Sequence, residues 1–327
     1  MYSITSFRNF CPMVGALTSL AILCSSNAFA QQSVDESLQA EKGSYVEIEH
    51  INGEAEIIGW DKDEVRVTGT LGERTEEFIF ERKGRDIIIE IEVKKSGKKW
   101  GWGSDEGDDL KIYVPQESRI GYTSVNADVD ISDIQGNVKV DVVNGSIQLD
   151  KITGDARLES VNGDIRFDNL VGELVVETVN GGIRGKGRET EELSLNSVNG
   201  SIDVISDAED VTIETVNGDV DVELESIQDF DVETVNGSVR ASMNLQSNGD
   251  VRASSVGGSI TLAFQDDVSA RFDIEAHAGG RIVNRISADK MMKAKYGPRR
   301  WLEFSHNGGK ARVEVSTVSG RVTLENN

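Results

Sequence analysis

Apolar and polar residues alternate along most of the chain with a period of two. The stretch LESVNGDIRF, residues 158–167, shows this alternation on both sides of an Asn-Gly pair. A period of two is expected of half-buried β-strands, with β-branched residues at the inward sites, whereas amphipathic helices repeat every 3.6 residues. The pattern therefore predicts an all-β protein.

An asparagine, followed by Gly in six of its seven copies and by Ala127 in the first, recurs at a nearly constant spacing. When the Asn of each copy is taken as a marker, successive copies lie 18, 18, 18, 19, 18 and 19 residues apart. Self-similarity at such a period is the signature of a repeat architecture. The markers are Asn126, Asn144, Asn162, Asn180, Asn199, Asn217 and Asn236.

Two architectures fit this repeat. In an antiparallel β-meander, each Asn-Gly pair would form a tight type I′ turn. In a parallel β-solenoid, or β-helix, each repeat is one coil of about 18–19 residues, and each Asn-Gly pair is a corner where Asn or Gly takes the left-handed conformation.

The identical phase of the repeats favours the solenoid, because equivalent corners would then stack directly, about 4.8 Å apart. The stacked asparagines would form a ladder of side-chain amide hydrogen bonds. The preceding valines would form a continuous apolar stripe, consisting of Val161, Val179, Val198, Val216 and Val235. We therefore predict a parallel β-solenoid with irregular caps at both ends, and the β-meander is the alternative.

The chain divides into five segments by pattern. Residues 1–30 resemble a signal peptide, since an apolar run leads to the small residues Ala28 and Ala30. The remaining predictions are a flexible linker at 31–43, an N-terminal strand-rich cap at 44–115 with a Gly-rich loop at 96–110, the Asn-Gly solenoid at 116–265 and a C-terminal coil and cap at 266–327. We expect an exported protein of the periplasm or cell surface, without a transmembrane segment after the signal peptide.

The net charge of the chain limits the classes of partner that it is expected to bind. The formal net charge is −23, which argues against nucleic acid and anionic lipid surfaces as partners. Both cysteines, Cys11 and Cys24, lie in the signal-like segment, so no disulfide is expected in the mature chain. One outward position of the repeat carries a row of acids that repel one another unless they are offset by neighbouring arginines or a bound cation: Glu159, Glu177, Glu214 and Glu233.

Few residues of the chain are candidates for catalysis or metal binding. The three histidines, His50, His277 and His306, are far apart in sequence and show no metal-ligand spacing, which is typical of surface residues. The repeat also lacks the Gly-Gly-x-Gly-x-Asp motif of calcium-loaded β-rolls. We therefore predict no catalytic, cofactor or metal residues, with calcium as the one candidate ion.

Candidate ligand contacts lie in two segments. Trp100 and Trp102 lie in the loop at 96–110. Arg299, Arg300 and Trp301 lie in the irregular C-terminal segment, within the one basic cluster of an acidic chain. An envelope glycan or a protein is the expected partner. We expect Met291, Met292, Trp301 and Phe304 to plug the last coil.

The Asn-Gly series, GWDKDEVRVTGTL at 59–71, YGPRRWLEF at 296–304 and GGKARVEVSTVSGRVTL at 308–324 together carry a resemblance. They resemble a widespread bacterial family of exported β-strand-repeat proteins of unknown function that are labelled adhesins. The resemblance implies a β-solenoid fold and an envelope location.

The predicted function is therefore that of a non-enzymatic, exported envelope protein, an adhesin-like binding or scaffold β-solenoid. Two alternatives stay open. Abundant carboxylates allow a polysaccharide-active lyase or hydrolase, because parallel β-helices host such enzymes. An envelope-stress accessory protein would instead bind a protein partner through the C-terminal segment.

Overall fold

The structure, a computed structural model, describes residues 32–93 and 107–327. Every regular element in these ranges is a β-strand. The strands of the N-terminal part are β1 (Gln32–Gln39), β2 (Tyr45–Trp60), β3 (Glu64–Leu71), β4 (Thr75–Lys83), β5 (Asp86–Val93), β6 (Asp108–Pro115) and β7 (Arg119–Ile134).

The strands of the repeats are β8 (Val138–Asn144), β9 (Ile147–Thr153), β10 (Ala156–Asn162), β11 (Ile165–Val171), β12 (Leu174–Asn180), β13 (Ile183–Gly187), β14 (Glu192–Asn199), β15 (Ile202–Ser206), β16 (Asp210–Asn217), β17 (Val220–Asn236), β18 (Val239–Ser255) and β19 (Ile260–Phe264). The C-terminal strands are β20 (Ala270–Ala276), β21 (Arg281–Asn284), β22 (Met292–Lys293), β23 (Arg300–His306), β24 (Ala311–Thr317) and β25 (Arg321–Asn326).

Equivalent strands of successive coils pair in parallel and in register. Asn162, for example, lies opposite Asn144 on one side and Asn180 on the other. The predicted parallel β-solenoid is thus confirmed, and the antiparallel β-meander is wrong for the repeats.

Each coil contributes one strand to each of two layers. The strand before the Asn corner belongs to the first layer, whose order through the repeats is β7, β8, β10, β12, β14, β16, β17 and β18. The strand after the corner belongs to the second layer, in the order β7, β9, β11, β13, β15, β17 and β18. Strands β7, β17 and β18 are long enough to pass through a corner and take part in both layers.

The core lies between the two layers, where the inward residues of each strand stack coil upon coil. Phe167, Phe230, Phe264 and Phe272 are fully buried there, among many Val, Ile and Leu side chains. Full burial of one such aliphatic or phenyl side chain contributes about 1.5–3 kcal/mol. This continuous core holds together a fold that contains no disulfide among its described residues.

The corners differ from the prediction. Within the described ranges, none of the marker asparagines has a positive φ, and left-handed non-glycine residues such as Lys151 (φ 54°) and Asn169 (φ 53°) lie at the opposite joint of the coil. Glycine follows six of the seven asparagines, all but Asn126, for another reason. A Cβ on Gly163 would lie 1.8 Å from the carbonyl oxygen of Gly145 on the neighbouring coil. Close stacking therefore requires glycine at this corner, and the predicted positive φ occurs only at some corner glycines, such as Gly145 (φ 150°).

The N-terminal end is closed by antiparallel strands. Strand β6 pairs in parallel with β2, then β3 pairs antiparallel with β6 and β1 antiparallel with β3. Residues 31–43, predicted as a flexible linker, thus contain an ordered strand. The reason is that Val34 packs into the core while Asp35 accepts a pair of hydrogen bonds from Arg66, at 2.8 and 2.9 Å.

Chain order and stacking order differ at the C-terminal end. The last two strands, β24 and β25, insert between the coil of β18 and β19 and the coil of β20 and β21. Strand β23 then pairs antiparallel with β20 and covers the end. Of the predicted plug residues, Phe304 is buried and stacks on Phe272 at 4.5 Å between ring centroids, whereas Met291 and Met292 are exposed.

Candidate functional site

The marker asparagines form a column along the solenoid. The Nδ2 of each asparagine donates to the Oδ1 of the preceding one, at distances from 2.8 Å for Asn144–Asn126 to 3.1 Å for Asn236–Asn217. The four bonds between them, which join Asn162, Asn180, Asn199 and Asn217 into the same chain, measure 2.8 to 3.0 Å. This amide ladder fixes the spacing and register of the corners, a structural role.

A column of exposed valines runs beside the ladder. Each valine directly precedes a corner, and its side chain is 39–48% exposed. The residue before each valine, which is Ser or Thr except for Val142, is buried. The valines are Val125, Val143, Val161, Val179, Val198, Val216, Val235, Val256 and Val318. The register of Thr234, Ser255 and Thr317 places the last three on successive rungs. The column thus occupies nine rungs and extends over about 38 Å.

A column of acids borders the valines, two residues earlier on each strand. Part of its charge is neutralised locally, because Arg157 donates to Glu159 at 2.7 Å and to Glu177 at 2.8 Å. Further along, Glu214 and Glu233 have no ion-pair partner among the described residues. The column consists of Asp141, Glu159, Glu177, Glu214 and Glu233, with Asn196 on the rung between Glu177 and Glu214.

The two columns form a groove on the outer surface of the first layer, which we call the valine groove. It is lined from Thr123 to Val256 by the valines, the acids and the small residues between them, and it encloses about 670 Å³. Its floor is aliphatic and one wall is acidic. Chemically, such a surface suits a long ligand that combines apolar groups with positive charge.

A second polar cluster lies buried near the N-terminal end. The Nδ1 of His50 lies 3.0 Å from the hydroxyl of Tyr122, and its Nε2 lies 3.2 Å from Oδ2 of Asp108. The other oxygen of Asp108 accepts hydrogen bonds from the Gly72 amide at 2.7 Å and the Thr75 hydroxyl at 2.8 Å. The interpretation of His50 as a surface residue is therefore wrong, because it is 1% exposed.

The ionisation of this cluster follows from its contacts. Burial raises the pKa of the Asp108 carboxyl group, but the polar contacts from His50, Gly72 and Thr75 outweigh that effect and hold the pKa below its ordinary value. Burial raises the pKa of the Tyr122 hydroxyl. A charged Asp108 thus joins β6 to the β3–β4 turn and to β2, and the cluster stabilises the N-terminal cap.

The predicted ligand contacts of the C-terminal segment are engaged in structural interactions. Arg299 pairs with Glu275 and lies 5.4 Å from the ring centroid of Trp301. Arg300 donates to the carbonyl of Gly280 at 2.7 Å. Trp100 and Trp102 lie outside the described residues. In the described ranges no group of three or more His, Cys, Asp or Glu residues has a metal-binding arrangement.

Comparison with known proteins identifies the family. The family model of Toastrack DUF4097 matches residues 44–325. The chain belongs to this family. The match includes both caps as well as the Asn-Gly repeats, so the Toastrack DUF4097 fold accounts for nearly the whole described part of the chain. No functionally curated protein matches the sequence.

Solved structures similar to this Toastrack chain carry provisional names. One is a protein from Parabacteroides distasonis named as lipid-binding, with 13% sequence identity over 90% of this chain and 96% of that chain and a TM-score of 0.38. Another is a protein from Bacteroides fragilis named as an adhesin, with 10% identity over 91% of this chain and 98% of that chain and a TM-score of 0.35. A third is a protein from Parabacteroides merdae named as an adhesin, with 9% identity over 71% of this chain and 92% of that chain and a TM-score of 0.34. No helix in the described part of our chain is long and apolar enough to cross a membrane.

Proposed function

We propose that the protein is a non-enzymatic binding or scaffold protein of the bacterial cell envelope, and that the valine groove is its contact surface. The observation that carries this proposal is the column of nine exposed valines on consecutive rungs. Scattered exposed apolar residues are ordinary on soluble proteins, but a contiguous apolar strip with a polar rim marks an interaction site.

The groove favours a polypeptide with basic and apolar side chains as the partner. The acids along its wall attract Lys and Arg, and the valines bury aliphatic groups. A glycan is less well matched, because the groove lining contains no aromatic residue on which a sugar ring could stack.

The proposed location is the periplasm or the cell surface. It is supported by the signal-like sequence of residues 1–30 and by the acidic, cysteine-free composition of the rest of the chain. In that setting a groove repeated over many coils provides a long contact surface.

Peptide binding tests the proposal. The probe is a fluorescein-labelled ten-residue peptide of alternating Lys and Val, followed by fluorescence anisotropy in 50 mM and 300 mM NaCl. We expect the triple substitution Val179→Ser, Val198→Ser and Val216→Ser, here called the groove variant, to weaken binding at least tenfold. Higher salt should weaken it as well, because the acids are exposed to solvent.

The matched control is Ile205→Ser, which removes an aliphatic side chain that is 38% exposed on the second layer. This control should bind like the wild type, and a Glu-Val peptide should not bind. Equal binding by the groove variant and the control would overturn the proposal.

A further inference from the structure

One exposed segment of the chain has the composition that the valine groove favours. Residues 285–299, here called the basic loop, connect β21 to β23 and contain five basic residues and one acidic residue, Asp289. The remainder of the protein is strongly acidic. The basic residues are Arg285, Lys290, Lys293, Lys295 and Arg299.

The basic loop also exposes apolar side chains. Met291 is 37% exposed, Met292 is 45% exposed and Tyr296 is 84% exposed. Tyr296 is the most exposed of the large hydrophobic residues in the described ranges. Apolar groups presented so fully to solvent favour burial in a partner.

Only two of the five basic residues of the basic loop form ion pairs with carboxylates of the described residues. Arg285 pairs with Glu325 and Arg299 with Glu275. Lys290, Lys293 and Lys295 have no carboxylate partner within the described part of the chain. The contact that Lys295 makes is with the ring of Tyr296, at 5.4 Å from the centroid.

The valine groove carries acidic and apolar side chains that complement those of the basic loop. Glu214 and Glu233 lack ion-pair partners in the described ranges, and Val198, Val216 and Val235 lie beside them. We infer that the basic loop of one copy docks in the valine groove of a second copy. This inference rests on the proposed function, since it assigns an occupant to the proposed contact surface.

Such a contact is head-to-side, because the loop and the groove are different surfaces of the same molecule. A heterologous contact of this kind leaves one groove and one loop free in every pair, so association continues into open chains unless the geometry closes a ring. The net charge of −23 opposes association as a whole. The local attraction between loop and groove must exceed that repulsion, so association should be moderate and sensitive to salt.

Sedimentation velocity of the full chain between 5 and 200 µM tests the inference. In 50 mM NaCl the average sedimentation coefficient of the wild type should rise with concentration, and 500 mM NaCl should weaken the association at least tenfold. The groove variant and the loop variant, Lys290→Glu with Lys293→Glu and Lys295→Glu, should each remain monomeric. Ile205→Ser should associate like the wild type.

Sedimentation of a mixture of the loop variant and the groove variant is the decisive measurement. The loop variant retains a functional groove and the groove variant retains a functional loop, so an equimolar mixture should form pairs and stop there. A wild type that is monomeric at every concentration, or a mixture that does not associate, would overturn the inference.

Different results would overturn the proposed contact surface and the proposed occupant. If the Lys-Val peptide binds to the groove of the loop variant while the wild type does not self-associate, the occupant is wrong and the proposed contact surface stands. If the peptide does not bind and no self-association occurs, both proposals are wrong. Circular dichroism of each variant shows whether the fold is retained, which we expect because all substituted residues are exposed.

Discussion

At the scale of single residues, the Asn-Gly pair combines two separate requirements of a stacked coil. The asparagine joins its neighbours through side-chain amides, as in the bond of 2.9 Å from Asn180 to Asn162. The glycine next to it removes a side chain from a place where two backbones meet. The repeated pair is therefore a structural joint, and the contact surface that we propose is formed by the valine just before it.

The glycine requirement gives a sharp comparison. A Cβ at Gly181 would lie 2.0 Å from the carbonyl oxygen of Gly163, whereas a Cβ at the adjacent Gly182 would meet its nearest neighbour at 3.4 Å. We expect Gly181→Ala to lower the free energy of unfolding by about 2 kcal/mol or more and Gly182→Ala to change it by less than about 0.5 kcal/mol. Urea unfolding measures both, and equal effects would contradict the close-stacking explanation.

The alternating pattern also contains the information that the valines face outward. Leu158 and Ser160 are inward, so the period of two makes Val161 an outward residue. The repeat predicts an apolar stripe at this position, whereas β-branched residues are expected at the inward sites. Composition misleads here because valine is common in cores, and the phase of the pattern is the more reliable guide.

At the scale of elements, the fold class and the coil length could be predicted, but the order of the strands at the two ends could not. Parallel stacking followed from identical residues at identical phase. The insertion of β24 and β25 before β20 and β21 has no sequence signal, because β20 and β24 both alternate and both precede a corner that contains glycine. Which strand fits an edge best depends on packing across the whole coil.

The buried polar cluster was missed for a related reason. His50, Asp108 and Tyr122 are far apart in the sequence and come together only because β2 pairs with β6 on one side and β7 on the other. Since Asp108 is charged and fully enclosed, its removal should weaken the N-terminal cap.

We expect Asp108→Asn to lower the free energy of unfolding by about 1–3 kcal/mol at pH 7, because donors from Gly72 and Thr75 lose a charged acceptor. The pKa of Asp108 is lower in the folded state than its ordinary value. Its contribution is thus complete above the unfolded pKa, about 3.9, and is lost as the pH falls through the folded pKa.

Urea unfolding at pH 7 and at pH 3 measures this dependence. The difference between the wild type and Asp108→Asn should be smaller at pH 3. The exposed neighbour Asp109 provides the control, since Asp109→Asn should change stability little at either pH. A difference that stays constant with pH would show that the charge of Asp108 is not the stabilising feature.

At the scale of the whole molecule, regular stacking turns a small sequence motif into an extended surface. One exposed valine has little meaning, but the same valine on nine rungs forms a column about 38 Å long. Most of this column lines the valine groove, beside a row of carboxylates. The antiparallel strands at both ends cover the edges of the stack, which would otherwise pair with other chains. The proposed contact surface thus lies on the side of the solenoid.

The most direct test of this account is photo-crosslinking in the cells that produce the protein, with p-benzoylphenylalanine at Val198 or, as the control, at Ile205. Both residues are exposed on the same coil, but they face outward from different layers. The account predicts a discrete crosslinked product from position 198, absent from position 205 and reduced when Glu214 and Glu233 are changed to Gln. Equal products from both positions, or none from position 198, would contradict the assignment of the valine groove as the binding surface.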